Sequence, residues 1–167
     1  MKKIAILYGS VTGNTAAAAK RINNQLIDMA KVMDIACVTV EMLSKYDFLF
    51  LGTSTYGMGD LQNDWKIFLP ELKKADLSGK TVALFGLGDS VSNPNTFVNG
   101  MGTIYHALKN SGCKFVGHCP NDGYSFIGSD ALVDGEFVGL PLDHDNENGS
   151  TDSRIAHWLF EIIPHLR

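Results

Sequence analysis

Residues 10–15 read Ser-Val-Thr-Gly-Asn-Thr and directly follow the apolar run Ile4-Ala5-Ile6-Leu7-Tyr8-Gly9. A buried strand that ends in hydroxyls and glycines and then opens a helix makes an anion site. The helix N-terminus offers unpaired N–H groups and a partial positive charge. Ser10, Thr12 and Thr15 add hydroxyl donors, while Gly9 and Gly13 let the backbone approach an oxygen closely. Val11 and Asn14 complete the hexapeptide, with Asn14 opening the helix. The loop holds no Lys or Arg, so it is not the Gly-Lys-Ser/Thr loop that grips a triphosphate and its metal ion. Neutral dipoles alone suit one terminal monophosphate, as in a mononucleotide such as FMN. On these six residues alone, a hydroxyl-capped strand-to-helix turn remains the alternative.

The elements that must position this loop are apolar runs bounded by glycine. They are Ile4–Tyr8, Phe48–Leu51, Val82–Phe85, Lys114–Val116 and Phe137–Leu142, and they read as strands buried on both faces, the mark of a parallel sheet. Helical spacing lies between them. Asn14–Leu26 carries Ala17, Ala18, Arg21, Ile22 and Gln25 on successive turns, and Asp64–Lys74 carries Trp65, Phe68, Leu69 and Leu72. Asn95–Ser111 places Phe97, Met101, Ile104, Tyr105 and Leu108 on one face and stops before Gly112. Thr151-Asp152 can cap a last helix that turns Ile155, Trp158, Leu159 and Ile162 inward and ends near Pro164. Between Leu26 and Ser44 we expect a short edge strand at Lys31–Ile35 and a loop or short helix through Glu41–Leu43.

Alternating strands and helices with short connections imply right-handed crossovers and an α/β, three-layer, doubly wound fold with strand order 2-1-3-4-5. Ligands in such sheets sit at the carboxyl ends of strands flanking the switch point, here after strands 1, 3 and 4. The loops there are Gly52-Thr53-Ser54-Thr55-Tyr56-Gly57-Met58-Gly59-Asp60 and Gly86-Leu87-Gly88-Asp89-Ser90-Val91-Ser92-Asn93. Both are rich in small residues, and the first carries an aromatic at its tip. Three such loops at one sheet edge specify a ligand site far better than any single one.

Bulk properties bound the rest. At 167 residues the chain is expected to form one domain, residues 1–167, with a proper core. Its apolar share of 45% and charged share of 19% are those of a globular protein outside the membrane, and no apolar stretch reaches spanning length. Three cysteines without CxxC spacing favour reduced thiols and a cytoplasmic location, and no Cys/His spacing suggests a metal. Net charge is −4 and unevenly spread: Phe115–Ser153 holds eight acidic residues and no Lys or Arg. That end repels nucleic acid and is suited to steering toward a basic protein partner; the plainer alternative is a solvated acidic loop. The five histidines, His106, His118, His144, His157 and His165, pair with no nucleophile and read as surface or packing residues.

Several segments together resemble the flavodoxin family along essentially the whole chain. They are Tyr8–Thr15, Tyr46–Thr53, Gly59–Trp65, Leu77–Asp89 and Asp122–Tyr124. Cys119–Glu136, with Phe137–Asp143 after it, looks like the insertion that splits the fifth strand in the long-chain type. The resemblance implies a low-potential one-electron carrier that binds FMN non-covalently and meets a reductase donor and an acceptor enzyme transiently, as a monomer. It places the phosphate on residues 10–15 and one side of the ring against Thr53, Ser54, Thr55, Tyr56 and Gly57. The pyrimidine edge falls against Leu87, Gly88 and Asp89. Gly57 would permit a peptide flip that lets its loop accept a hydrogen bond from reduced flavin N5, favouring the neutral one-electron state.

One departure stands out. Where the family has a Tyr over the second ring face, aligning Gly88-Asp89 and Phe97 puts Asn93, followed by Pro94. Asn lacks the stacking area, so weaker FMN binding and a less negative second reduction are expected, unless Met58 or Phe97 covers that face. Two other readings stay open: an FMN-dependent NAD(P)H quinone or nitro-compound reductase on the same fold, and a diverged member that has lost FMN.

Overall fold

Alternation along the central strands divides the core into two layers. A computed structural model describes all residues, 1–167. Ile4–Gly9 (β1) lies between Ala30–Asp34 (β2) and Phe48–Tyr56 (β3), parallel to both. Asp60–Leu61 (β4) folds back antiparallel on the end of β3, and Thr81–Leu87 (β5) extends the sheet in parallel on the other side. Ile4, Ile6, Phe48, Phe50, Ala83 and Phe85 face one layer; Ala5, Leu7, Leu49, Leu51, Val82 and Leu84 face the other. Every one of them is essentially buried, which explains why the strands read as continuous apolar runs.

Helices cover both faces. Asn14–Gln25 (α1) and Thr151–Ile162 (α5) pack on the Phe48 side, whereas Asn63–Lys74 (α2) and Asn99–Leu108 (α3) pack on the Leu49 side. Trp65, wholly buried on α2, donates its indole N–H to the Gly52 carbonyl at 2.8 Å and so ties that helix to β3. Gln62 caps α2 by accepting from the Trp65 amide at 3.1 Å. On α1 the buried set is Thr15, Ala18, Ala19 and Ile22, shifted from the stripe the sequence suggested, so that Ala17 and Gln25 stay exposed.

The fifth sheet position is shared by two short strands. Lys114–Val116 (β6) pairs with Thr81–Ala83 of β5, and Leu140–Leu142 (β10) pairs with Phe85–Leu87. The main sheet therefore runs β2-β1-β3-β5 and then β6 and β10, the order expected from the sequence. Between them Cys119–Pro120 (β7), Leu132–Val133 (β8) and Glu136–Phe137 (β9) form a separate three-stranded antiparallel sheet. The sequence reading placed Phe137 in a main-sheet strand, Phe137–Leu142; it belongs instead to this insertion, and only Leu140–Leu142 joins the main sheet.

Two helix starts also differ. The apolar pattern from Asn95 becomes helical only at Asn99. The preceding residues turn first: the Thr96 amide donates to the Asn93 carbonyl, and Val98 adopts φ 50°. At α5 no side chain caps the end. Asp152 instead accepts from Arg21 Nε at 2.7 Å, joining α5 to α1, and a four-residue helix, His144–Glu147 (α4), leads into it.

Candidate cofactor site

The three suspect loops meet at the carboxyl edge of the sheet. Beyond β1, the Gly13 amide donates to Ser10 Oγ at 3.1 Å and Gly13 takes φ 94°, a conformation that glycine adopts cheaply, before α1 begins. The first turn of α1 has no acidic side chain and Gly13 makes no side-chain cap, so its amides face the loop without a counter-charge. Thr15 is buried there, and its hydroxyl is the one buried side-chain oxygen in this loop with no hydrogen-bond partner. A threonine inside a helix usually bonds the carbonyl four residues back. Here that residue, Val11, precedes the helix, and a hydroxyl left without a partner in a buried place is one that a ligand oxygen would satisfy.

The β3 loop is held from two sides. The Gly100 amide at the start of α3 donates to Thr55 Oγ1 at 3.0 Å, and Thr53 Oγ1 donates to the Ser54 carbonyl at 3.0 Å. Ser54 Oγ lies 3.0 Å from the Tyr56 hydroxyl, which folds the ring along the strand end. Gly57 then adopts φ 51° in a turn closed by the Gly59 amide on the Tyr56 carbonyl and by pairing of Tyr56 with Asp60.

The β5 loop is anchored by the Gly88 amide on the Leu142 carbonyl and by the Asn93 amide on the Asp89 carbonyl. Asp89 Oδ1 accepts from the Val91 amide at 3.1 Å, the Ser92 amide at 2.9 Å and Asn146 Nδ2 at 2.9 Å. The Ser92 amide, and after it Asn146, hold the Asp89 carboxyl below the usual carboxylate range.

Together these segments enclose a cavity of about 370 Å³ lined by Thr12, Asn14, Ser54, Thr55, Tyr56, Gly57, Leu87, Gly88, Asp89 and Asn93, with His144 and Asp145. Ser10, Gly13, Thr15 and Thr53 are not part of this lining: Thr15 and Thr53 are buried, Ser10 is half-buried, and Gly13 is exposed beside another hollow with Tyr8 and Ala16, whereas Val11 is exposed and shares a third hollow with Tyr56. Phe97 is not brought to the cavity. It is 1% exposed and packs against Tyr124, Phe126 and Phe137 beneath Gly88, so it cannot shield a ring there. Met58 is 92% exposed. Tyr56 is the single aromatic residue of the lining apart from the His144 imidazole, and no Lys or Arg lines it.

His144 and Asp145 are the residues that the sequence reading missed. They follow β10, the fifth strand, so the rule that directed attention to strands 1, 3 and 4 also reaches them. The expected strand Phe137–Leu142 ends at the same residue as β10, so its carboxyl end was legible and only its place beside the cavity was not. A larger cavity of about 600 Å³ lies between the insertion and α5, lined among others by His118, Tyr124, Arg154 and Trp158. It shares no residue with the strand-end loops, and the strand-edge rule selects the smaller one.

No helix is long and apolar enough to cross a membrane, and no group of His, Cys, Asp and Glu is placed to hold a metal ion. The flavodoxin family model matches residues 6–158. Flavodoxin 1 of Azotobacter vinelandii is 43% identical over 165 residues, covering 95% of this chain and 94% of its own. Helicobacter pylori flavodoxin is 40% identical, covering 97% of each chain. The crystal structure of Fusobacterium nucleatum flavodoxin bound to flavin mononucleotide superposes with a TM-score of 0.94 at 31% identity over 100% of both chains. With the split fifth strand and the three loops at one sheet edge, these likenesses leave one conclusion: the chain belongs to the flavodoxin family.

Proposed function

We propose that the chain is a one-electron carrier that holds FMN non-covalently in the cavity at the strand ends. The observation that carries this reading is the unpartnered, buried Thr15 hydroxyl beside the bare N-terminus of α1. A phosphate there would receive that hydroxyl, the Ser10 and Thr12 hydroxyls and the helix amides without any cation. FMN, when bound, supplies single-electron redox chemistry.

The chain's own residues do the rest. Tyr56 offers one stacking face, the Gly88-Asp89 backbone borders the polar edge, and the Gly57 turn can reorient a carbonyl without steric cost. Asp89 and the exposed Asp145 place negative charge at the cavity, which opposes further negative charge on a bound ring and favours a low potential. The flavodoxin names of the matched relatives support a carrier and lend nothing to the reductase alternative.

Partner contact would be transient and electrostatic, at the exposed acidic residues near the cavity mouth, with the protein a monomer. Part of the acidic run is already engaged internally. Asp143 is buried, Asp152 pairs with Arg21, and Glu147 pairs with Arg154, so steering at the cavity falls to Asp145, with the exposed Asp134 and Glu136 adding charge on the insertion. Three free cysteines fit a reducing, cytoplasmic setting. A visible spectrum taken during stepwise reduction tests the whole reading. The expected result is a yellow protein that passes through a blue one-electron form; a colourless protein that cannot be loaded with FMN would overturn it.

A further inference from the structure

We propose that Asp143 is a positioning residue for the cofactor, latching the Gly88–Asn93 loop to the start of α4 so that two cavity walls hold their spacing together. The proposal rests on the reading that this cavity holds the FMN ring. Asp143 is 1% exposed and has no cationic partner. A buried carboxylate of that kind is tolerated only when hydrogen bonds replace water.

Asp143 has four such bonds. Oδ2 accepts from the Ser90 amide at 3.3 Å and from the Ser90 hydroxyl; Oδ1 accepts from the Asn146 amide at 3.3 Å and from Asn146 Nδ2 at 2.8 Å. Asn146 Nδ2 also donates to Asp89 Oδ1 at 2.9 Å, closing a bridge between the two walls. As an ionised carboxylate is an acceptor only, every one of these donors is used without conflict.

Asp143, Ser90 and Asn146 do not line the cavity, but their chain neighbours Asp89, His144 and Asp145 do. Capping α4 would need only the Asn146 amide; it does not account for the two bonds to Ser90, which lies 53 positions away in the chain. The β5 loop is otherwise held toward β10 by one backbone bond, Gly88 N–H to Leu142 O. Small-residue loops of this kind are mobile unless tied, and ordering them on binding lowers affinity.

The test is FMN titration of the folded apoprotein for wild type, Ser90→Ala, Asp143→Asn and the double variant, with the apoprotein melting temperature measured for each. S90A should weaken FMN binding about tenfold, the scale of one hydrogen bond to a charged group. D143N should weaken it at least as much, and the double variant should be no weaker than D143N, because Ser90 acts through Asp143. Should D143N fail to fold, Asn146→Ala takes its place in the cycle. Affinity of S90A within about twofold of wild type, or losses that simply add, would overturn the latch; so would a lowered melting temperature with unchanged affinity. Tyr56→Ala and Thr15→Val separate the two readings. If neither weakens FMN binding, the cavity assignment itself fails. If both do while S90A binds as wild type does, only the latch fails.

Discussion

Replacing Thr15 with valine should move apoprotein stability and FMN affinity in opposite directions. The substitution keeps the shape and removes only the hydroxyl, which in this structure is buried and unpartnered. A buried hydroxyl without a hydrogen bond costs about 1–3 kcal/mol. Its removal should therefore stabilise the apoprotein by about 1 kcal/mol, raising the thermal midpoint by about 2–4 °C for a chain of this size. With FMN present the same hydroxyl would face a charged phosphate, where a hydrogen bond contributes about 1.5–3 kcal/mol. Losing it weakens binding about 10- to 150-fold. Ser10→Ala is the control, because Ser10 Oγ already accepts from the Gly13 amide and shapes the loop without a ligand. That change should lower apoprotein stability and affinity alike. Calorimetry of the apoproteins and fluorescence titration with FMN read both quantities. A Thr15→Val apoprotein that melts below wild type, or an FMN affinity that does not move, would refute the reasoning.

Three further outcomes are expected. Asn93→Tyr should tighten FMN binding about two- to twelvefold, the range of one aromatic stacking contact, and make the second one-electron potential more negative; potentiometric titration showing no change, or the opposite shift, counts against a poorly covered ring face. Among the cysteines, the exposed Cys37 should react first with a thiol reagent in the native state. Burial raises the Cys113 thiol, and burial reinforced by Glu136 pushes Cys119 up to about 12, so rapid labelling of Cys119 at neutral pH would contradict the structure. Asp89 titrates below its unfolded value because the Ser92 amide and then Asn146 stabilise its carboxylate. Its contribution to apoprotein stability is thus complete above the ordinary carboxylate range and lost as pH falls through the lowered folded value. Thermal midpoints followed into acid should fall less steeply for Asp89→Asn than for wild type; parallel curves would exclude that linkage.

The layered fold was legible because its strands are buried on both faces. Residues such as Phe48, Leu49, Phe50 and Leu51 leave no polar gap and so declare a parallel sheet. The helix stripes of α2 and α5 were equally plain, with Trp65, Phe68, Leu69 and Leu72 all buried. The start of α3 was not legible, since the turn at Asn93–Val98 is set by long-range partners: the Phe97 amide bonds the Gly128 carbonyl across the insertion. Phe97 itself followed the apolar pattern correctly but was assigned to the wrong surface, and its burial among Tyr124, Phe126 and Phe137 depends on residues more than 25 positions away. His144 and Asp145 escaped for a related reason. The run Phe137–Leu142 marks where the fifth strand ends, but the approach of α4 to the cavity is set by distant partners, where Asn146 bonds Asp89 and Asp143 bonds Ser90.

The register of that interrupted strand also separates the sheet from the segment that interrupts it. Val116 stands opposite Ala83, and Leu140 opposite Phe85, so one residue opposite Leu84 would join them into an unbroken strand. Everything from His118 to Gly139 is an excursion from a sheet that is geometrically complete without it. It leaves and re-enters the sheet where pairing resumes in phase. Yet the excursion is not separable from the core. Ala131, Phe137 and Val138 are part of the same core as Met101 and Ile104, and Gly102 of α3 lies so close to the Asp130 backbone that an added Cβ would sit 2.6 Å from it. Joining Gly117 directly to Leu140 would preserve every pairing of the main sheet and leave one flank of α3 bare. The strand ladder can do without the excursion, but the packing around α3 cannot.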